Sequence, residues 1–124
     1  MTERTFTLDE ARKILEDVRA LADAMAEAHK VMDEHHDDVM DSIPTNGGGA
    51  VHRAFVDASR AAADALDALT SMGVIVRDPA NGLLDFPTER DGARAFLCWK
   101  LGEDDIGFWH TTETGFAGRQ PLNE

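Results

Sequence analysis

The sequence predicts an α+β fold, in which a long antiparallel helical hairpin is followed by a small antiparallel β-meander of about four strands. Apolar residues recur at helical spacing from residue 11 to residue 72, whereas after Gly73 short β-branched and aromatic runs alternate with turns. Helices that precede strands in this way are typical of α+β domains, where they cover one face of the sheet. With 124 residues the chain has the length of a single domain, which we divide into a hairpin over 6–72 and a meander with a packed tail over 73–124.

The first helix is predicted from its start signal and its apolar spacing. Thr7 and Glu10 fit a capping box, in which each side chain accepts a hydrogen bond from the other residue's backbone N–H. We expect the helix to end near Ser42, because Pro44 disfavours helical backbone at Ile43. Its packed face is predicted to contain Ala11, Ile14, Val18, Leu21, Met25, Ala28, Met32, His35 and Val39.

The second helix follows the glycine-rich turn over 44–49 and ends at Gly73, which is placed as a left-handed C-cap. It is shorter than the first helix, so part of the first helix's apolar face must pack against something else. Hairpins of this kind commonly assemble into four-helix arrangements, and the sequence therefore predicts a homo-oligomer formed through the hairpin. The packed face of the second helix is predicted to contain Val51, Phe55, Ala58, Ala62, Ala65, Leu69 and Met72.

The register of the last two strands decides which side chains can form a site. A four-residue turn over 102–105 would place Leu97 opposite His110 and Trp99 opposite Phe108. In that register Trp99 and His110 share one face of the sheet and Cys98 lies on the other. Cys98 and His110 are therefore predicted not to pair. The four strands are expected over 74–77, 83–87, 93–101 and 106–111.

His110 is the first candidate for chemistry, and two interpretations of it stay open. It is either a half-buried imidazole that bonds a backbone carbonyl at a strand end, or a general base or metal ligand tuned by a nearby carboxylate. Asp85 is the best-placed acid, since it interrupts an apolar strand, and Glu103 is a turn residue unless the tail folds back onto it. The candidate catalytic residues are thus His110, Asp85 and Glu103, and the candidate metal ligands are His110 and Glu103.

A ligand pocket is predicted where the tail after Thr112 packs onto the last strands through Phe116 and Leu122. Trp99, Phe116 and Arg119 are the candidate ligand-binding residues, because aromatic rings and a guanidinium suit a small molecule that carries a carboxylate or phosphate. Arg119 has a second interpretation, in which it anchors the tail to the rest of the domain.

The histidines of the helices give a weaker alternative. His52 near Met40 or Asp41 is a possible metal site at the hairpin tip, but His35 and His36 project about 100° apart on a helix and do not converge on one ion. A solvated acidic face is the default interpretation of this region.

The composition argues against some classes of binding partner and indicates the cellular compartment. The chain has 24 acidic and 12 basic residues and a formal net charge of -12, which argues against nucleic acid and against an anionic membrane surface. The sequence contains no apolar run long enough to span a membrane, and its single cysteine suits a reducing compartment, so we expect a cytoplasmic protein. The sequence also lacks a phosphate-binding glycine loop, a two-histidine helical zinc motif and a nucleophile elbow.

Six segments of the chain contain recognisable motifs, namely 6–11, 83–87, 91–92, 97–103, 109–110 and 115–122. Taken together, these motifs resemble a bacterial family catalogued as domain of unknown function 2203. The resemblance covers essentially the whole chain and implies no activity. The positions that match the family's motif are Asp85, Cys98, Trp99, Glu103, His110, Gly115, Phe116 and Arg119.

Two functions from different classes follow. The first is a small oligomeric protein that binds a small ligand at the sheet and the C-terminal tail, in a pocket lined by Trp99, His110, Phe116 and Arg119. The alternative is an enzyme or metal-dependent catalyst that uses His110 with Asp85 or Glu103. The sequence identifies no cofactor.

Overall fold

Two helices precede an antiparallel sheet of five strands. The computed structural model describes residues 4–46 and 49–122 and, within 38–46, the backbone alone. The sheet has the order β1-β2-β3-β4-β5, so each strand pairs with its neighbour in sequence. This confirms the predicted α+β class and adds a fifth strand. The elements are α1 (Leu8–Asn46), α2 (Ala50–Ser71), β1 (Ile75–Asp78), β2 (Leu83–Arg90), β3 (Ala93–Lys100), β4 (Phe108–Thr111), a short 3₁₀ helix (Phe116–Gly118) and β5 (Gln120–Pro121).

The start of α1 is fixed by the predicted capping box. The Thr7 backbone N–H donates to the Glu10 carboxylate at 2.8 Å, and the Glu10 N–H donates to the Thr7 hydroxyl at 3.1 Å. The hydrogen bond from the Thr7 N–H lowers the pKa of Glu10 from its ordinary value.

The end of α1 differs from the prediction, because the helix continues past Pro44 to Asn46 instead of ending near Ser42. A proline removes one helical hydrogen bond, and here that loss does not terminate the helix. The helix ends where the run of three glycines begins in the sequence, which is where the backbone becomes most costly to order.

The hairpin packs through a stripe of small and medium-sized residues. On α1 the buried positions alternate by four and three, so Leu15 and Ala22 are buried, whereas the predicted Ile14 and Leu21 are only partly buried. On α2 the predicted Ala58, Ala62, Ala65 and Leu69 are all buried, but Val51 is exposed. The side chain of Val39, also predicted to pack, lies outside the described residues.

Two turns contain left-handed backbone, which the sequence predicts at the first of them. Gly73, which follows the C-cap residue Met72 of α2, has φ +93°, the left-handed backbone expected at this position. Asp91 and Gly92 have φ 54° and 80° and join β2 to β3 as a two-residue hairpin. Positive φ at both positions is the signature of a type I′ turn, which suits the twist of paired strands.

The helices cover one face of the sheet, and the main core lies between them. Phe6 enters this core at the start of the chain, and its N–H donates to the carbonyl of Pro87 on β2 at 2.7 Å. Trp99 is completely buried beneath α1, where its indole N–H donates to the Glu103 carbonyl at 3.0 Å and the Arg19 guanidinium lies over its ring. The sheet's contribution to this core comes from Leu84, Phe86, Leu97 and Trp99.

The predicted register of β3 with β4 is wrong by one residue. His110 pairs with Phe96 and Trp109 pairs with Leu97, so Trp99 and His110 lie on opposite faces of the sheet. The connection is longer than the expected four residues, since β3 ends at Lys100 and β4 begins at Phe108. Within it, the Glu103 carboxylate and N–H both bond the backbone of Lys100, which closes a tight turn immediately after β3.

The C-terminal tail is anchored to the edge of the sheet. Residues 120–121 pair with β4 as β5, and the Leu122 N–H donates to the Gly107 carbonyl at 2.8 Å. The segment between β4 and β5 passes over the sheet face that the helices leave uncovered. Among the described residues, no helix is both long and apolar enough to cross a bilayer.

Candidate functional site

Three ionisable side chains are buried side by side on the sheet face away from the helices. Asp85 on β2 and Cys98 on β3 are directly paired, and His110 on β4 pairs with Phe96, two residues before Cys98. The exposed fractions of the three residues are 1% for Asp85, 1% for Cys98 and 3% for His110. Because the side chains of a strand alternate between faces, this register brings all three to one place.

His110 reaches across β3 to Asp85. Its Nε2 lies 2.9 Å from one carboxylate oxygen of Asp85 and 3.0 Å from the other, and its Nδ1 lies 2.8 Å from the Thr111 carbonyl oxygen. A carbonyl oxygen only accepts hydrogen bonds, so Nδ1 must carry a proton. One further proton then lies between Nε2 and the carboxylate, whichever of the two groups holds it.

Arg77 of β1 completes the charge balance of the pair. Its Nε donates to the second oxygen of Asp85 at 2.8 Å, and its guanidinium lies over the ring of Phe96. The Arg77 side chain is 45% exposed, so it reaches from solvent to the buried carboxylate. Asp85 is therefore hydrogen-bonded by Arg77 on one side and by His110 on the other, which offsets much of the cost of burying the carboxyl group.

The thiol of Cys98 lies beside this pair in its protonated form. Burial, and next the negative charge of Asp85, raise the pKa of Cys98 to about 11, while a hydrogen bond from Arg119 acts in the opposite direction. At neutral pH only about one thiol in ten thousand would be ionised. The ligand atoms of Asp85, Cys98 and His110 all lie within 4.8 Å of one another, so the prediction that Cys98 and His110 do not pair is wrong.

A cleft of about 360 Å³ opens onto these three side chains. The sheet supplies its floor, and the segment after β4 forms one wall with Thr112, Glu113 and Thr114. Phe96 and Phe116 add aromatic surface, and Phe116 is itself 41% exposed. The cleft therefore combines a buried ionisable floor with mixed polar and aromatic walls.

Arg119 and Glu103 hold the tail in position beside the cleft. The guanidinium donates to both carboxylate oxygens of Glu103, at 3.2 and 2.9 Å, and lies over the rings of Phe108 and Phe116. Burial alone would lower the pKa of Arg119, but the hydrogen bonds and charge of Glu103 raise it above its ordinary value. This arrangement matches the tail-anchoring interpretation of Arg119.

The structure brings together some of the predicted site residues and separates others. Asp85, His110 and Phe116 all line the cleft. Trp99 does not, because the correct register turns its indole into the core beneath α1. Glu103 also lies outside the cleft lining, with its carboxylate bound to Arg119 and to the Lys100 N–H.

Sequence reasoning missed Cys98 and Arg77 as members of the site. The predicted register, which is wrong, places Cys98 on the opposite face of the sheet from His110. Cys98 nevertheless matches the motif of the family that the sequence resembles. Arg77 could have been found from the sequence, because it is a cation at the end of a β-branched run. When β1 and β2 pair as a hairpin, its side chain lies on the same side as that of Asp85. The hairpin-tip alternative is untested, because the side chains of Met40 and Asp41 lie outside the described residues.

Comparison with known proteins identifies the family and nothing further. A family model described as an uncharacterized conserved protein (DUF2203) matches residues 4–122. Searches of curated proteins and of solved structures found no match. Since the matched segment includes both helices and the whole sheet with its cleft, the chain belongs to the DUF2203 family.

Proposed function

We propose that the cleft binds a small polar molecule and that the domain serves as its binding protein. The observation that carries this proposal is the buried pair of Asp85 and His110 on the cleft floor. The two side chains are hydrogen-bonded to each other and lie against an opening of about 360 Å³.

The cost of burying these groups favours a functional explanation. A buried ion pair is usually no more stabilising than well-packed apolar side chains of similar volume. The domain already has an apolar core on the other face of the sheet, so the pair is not needed to build one. Buried polar groups that break the local pattern are expected where a protein binds or reacts.

The size and lining of the cleft indicate the kind of ligand. A volume of about 360 Å³ lies at the small end of the range for ligand sites and suits a metabolite-sized molecule. Hydrogen-bonding partners are available from Arg77, Thr112 and Glu113, and the rings of Phe96 and Phe116 can cover an apolar part. We therefore expect a small molecule that is polar at one end.

Fragment screening by NMR tests the proposal. A library of small carboxylic acids, phosphate esters and amines is titrated into the isotope-labelled full chain. We expect the largest backbone shift changes at residues 112–116 and at His110. Phe116→Ala removes an exposed cleft wall and should weaken these responses about tenfold, as expected for the loss of roughly 1.4 kcal/mol of contact.

Val51→Ala is the matched control, because Val51 is exposed to a similar extent on α2, at 38% against 41% for Phe116. This variant should leave the fragment responses unchanged. Responses scattered over the helices, or equal losses in both variants, would show that the cleft is not the binding site.

Catalysis by proton transfer is the second candidate, favoured by the single proton that Asp85 and His110 share. A carbon acid bound beside this pair could exchange its proton with it. Nucleophilic catalysis by Cys98 is less well supported, since the thiol is protonated. Deuterium uptake by fragments in D₂O, followed by NMR, would detect proton transfer. Asp85→Asn should abolish that uptake, and uptake that persists in this variant would exclude the pair.

We also propose that the hairpin forms a homo-oligomer with a second copy of the chain. The exposed Val56 and Leu66 lie on the outer side of α2, and Ala63 lies between them on the helix. The part of α1 that extends beyond α2 packs on the sheet, so the outer side of α2 is the hairpin surface available to a second copy. Light scattering should give more than one chain per particle, and Leu66→Glu should give one; a wild-type monomer would refute the proposal. The single, buried cysteine suits a cytoplasmic location for such an assembly.

A further inference from the structure

We propose that Asp85, Cys98 and His110 bind one divalent transition-metal ion of the zinc class on the floor of the cleft. This inference rests on the proposed ligand-binding function, since the ion would be the point to which the small molecule attaches. Each residue offers a different donor, namely a carboxylate oxygen, a thiolate sulfur and an imidazole nitrogen.

The spacing of the three donors suits such an ion. Their ligand atoms lie within 4.8 Å of one another, and Nε2 of His110 lies 2.9 Å from Asp85. Donors at the corners of a zinc tetrahedron lie about 3.3 to 3.6 Å apart, given metal–ligand bonds of about 2.0 to 2.3 Å. Closing the longest of these separations to that range needs at most about 1.2 Å of movement, shared between two side chains, while the neighbouring strands that carry them stay in place.

The surroundings of His110 and Asp85 orient their donor atoms correctly. The Nδ1–H of His110 donates to the Thr111 carbonyl, which leaves Nε2 as the nitrogen that points at the other donors. Metal-binding histidines usually have such a hydrogen bond from the second ring nitrogen. Arg77 holds one oxygen of Asp85, and the other oxygen lies 2.9 Å from Nε2 of His110.

Charge balance also favours an ion at this position. One proton lies between His110 and Asp85, and a second is on the Cys98 thiol. Binding of a divalent ion replaces both protons and releases them to solvent, so the formal charge of the buried cluster does not change. Introducing the ion therefore does not require a new uncompensated charge in the interior.

Three protein donors leave a coordination position open, and that position faces the cleft. Catalytic zinc sites have the same pattern of three protein ligands and an open position, whereas structural zinc sites are closed by four. A soft thiolate and an imidazole select zinc, cobalt or iron(II) over magnesium and calcium. The ligand of the cleft is then a small molecule with an oxygen, nitrogen or sulfur donor for the metal.

Titration of the metal-free full chain with cobalt(II) tests this inference directly. A non-thiol reductant keeps Cys98 reduced. We expect a thiolate-to-cobalt charge-transfer band that saturates at one ion per chain and is abolished by zinc but not by magnesium. Cys98 is the only cysteine in the sequence, so a band of this kind can arise only from the proposed site.

Variants separate this site from adventitious binding. Cys98→Ser and Asp85→Asn change shape little, and each should weaken cobalt binding about 100-fold or more. His36→Gln is the matched control, since that side chain is 60% exposed on α1 and should bind no differently. If Cys98→Ser does not fold, the wild-type spectrum alone decides.

Two results would overturn the metal site. One is a folded wild-type chain that gives no charge-transfer band with excess cobalt, and the other is a Cys98→Ser variant that binds with wild-type affinity. In either case, fragment shifts at residues 112–116 would still support ligand binding by the metal-free cleft. Cobalt binding without any fragment response would instead refute the proposed ligand-binding function and leave the ion site in place.

Discussion

On the sheet face beneath the helices, Leu84 of β2 is paired with Trp99 of β3, and both are completely buried in the apolar core. One residue along each strand, Asp85 is paired with Cys98 on the opposite face, where the covering is a short C-terminal segment and a cleft. The two pairs thus come from alternate residues of the same strands and are buried to the same degree. Their difference shows that burial by itself does not identify the part of this fold that exists for stability.

The largest effect is expected on the helix-covered face. Trp99→Ala should lower the free energy of unfolding by about 3 to 5 kcal/mol, because it leaves a cavity and removes the indole donor to the Glu103 carbonyl. Urea unfolding at neutral pH measures this loss. A change below about 1 kcal/mol would mean that this face is not the main source of stability.

On the other face, removing one member of the buried pair should destabilise the protein, whereas replacing both members with apolar residues should change its stability little. Asp85→Ala should destabilise the protein by about 3 kcal/mol, because His110 loses its partner in a buried site. Replacing both residues, with Asp85→Leu and His110→Leu, should cost less than about 1 kcal/mol or even stabilise the fold. If the double variant is the less stable of the two, the pair contributes to stability and the contrast between the faces disappears.

A group on the same face should also lower the free energy of unfolding at alkaline pH. The Cys98 thiol ionises near pH 9.0 when unfolded and near 11 when folded, so between these values the unfolded chain has released a proton that the folded chain retains. Stability from this group is complete below pH 9 and declines as the pH rises, by about 2 to 3 kcal/mol in total. Urea unfolding of the wild type and of Cys98→Ala at pH 8 and at pH 11 gives the difference. Parallel losses in the two proteins would contradict the assignment.

The smallest effect concerns the covering of the cleft. Arg119→Lys replaces the two-point contact with Glu103 by a single charge and should cost about 1 kcal/mol, since both side chains are partly exposed. Hydrogen exchange should accelerate over 116–122, while exchange in α1 stays the same. Faster exchange in the helices as well would show that the tail supports both faces.

The parts of the fold that depend on local chemistry were predictable from the sequence. The capping box at Thr7, the C-cap at Gly73 and the stripe of alanines on α2 each follow from a short motif with one physical solution. The turn at Asp91-Gly92 is equally local and lies between the predicted strands 83–87 and 93–101, the first of which continues three residues further in the structure. The end of α1 was not predictable. The free-energy cost of a proline in the last turns of a helix depends on which backbone conformations the following residues can adopt.

The prediction of the site depended on the register of β3 with β4, which the sequence leaves ambiguous. Phe108 and Trp109 are both aromatic, so neither register of β4 is favoured by the apolar pattern alone. In the structure the connection is longer than a four-residue turn, and the carboxylate of Glu103 closes its first turn by accepting from the Lys100 N–H. A side chain that bonds the backbone of its own turn has no periodic signature. The contact between His110 and Asp85 could nevertheless be predicted from the sequence, because each residue interrupts an otherwise apolar strand.

Glu103 has a consequence for how this protein should be mapped by mutagenesis. Its backbone carbonyl accepts hydrogen bonds from the Trp99 indole and from Arg19 of α1, while its carboxylate binds Arg119 of the tail. An alanine scan deletes only the carboxylate, because every amino acid supplies the carbonyl. Such a scan would report the contact with the tail and the turn after β3, although the main chain of Glu103 also joins a helix to the largest side chain in the core.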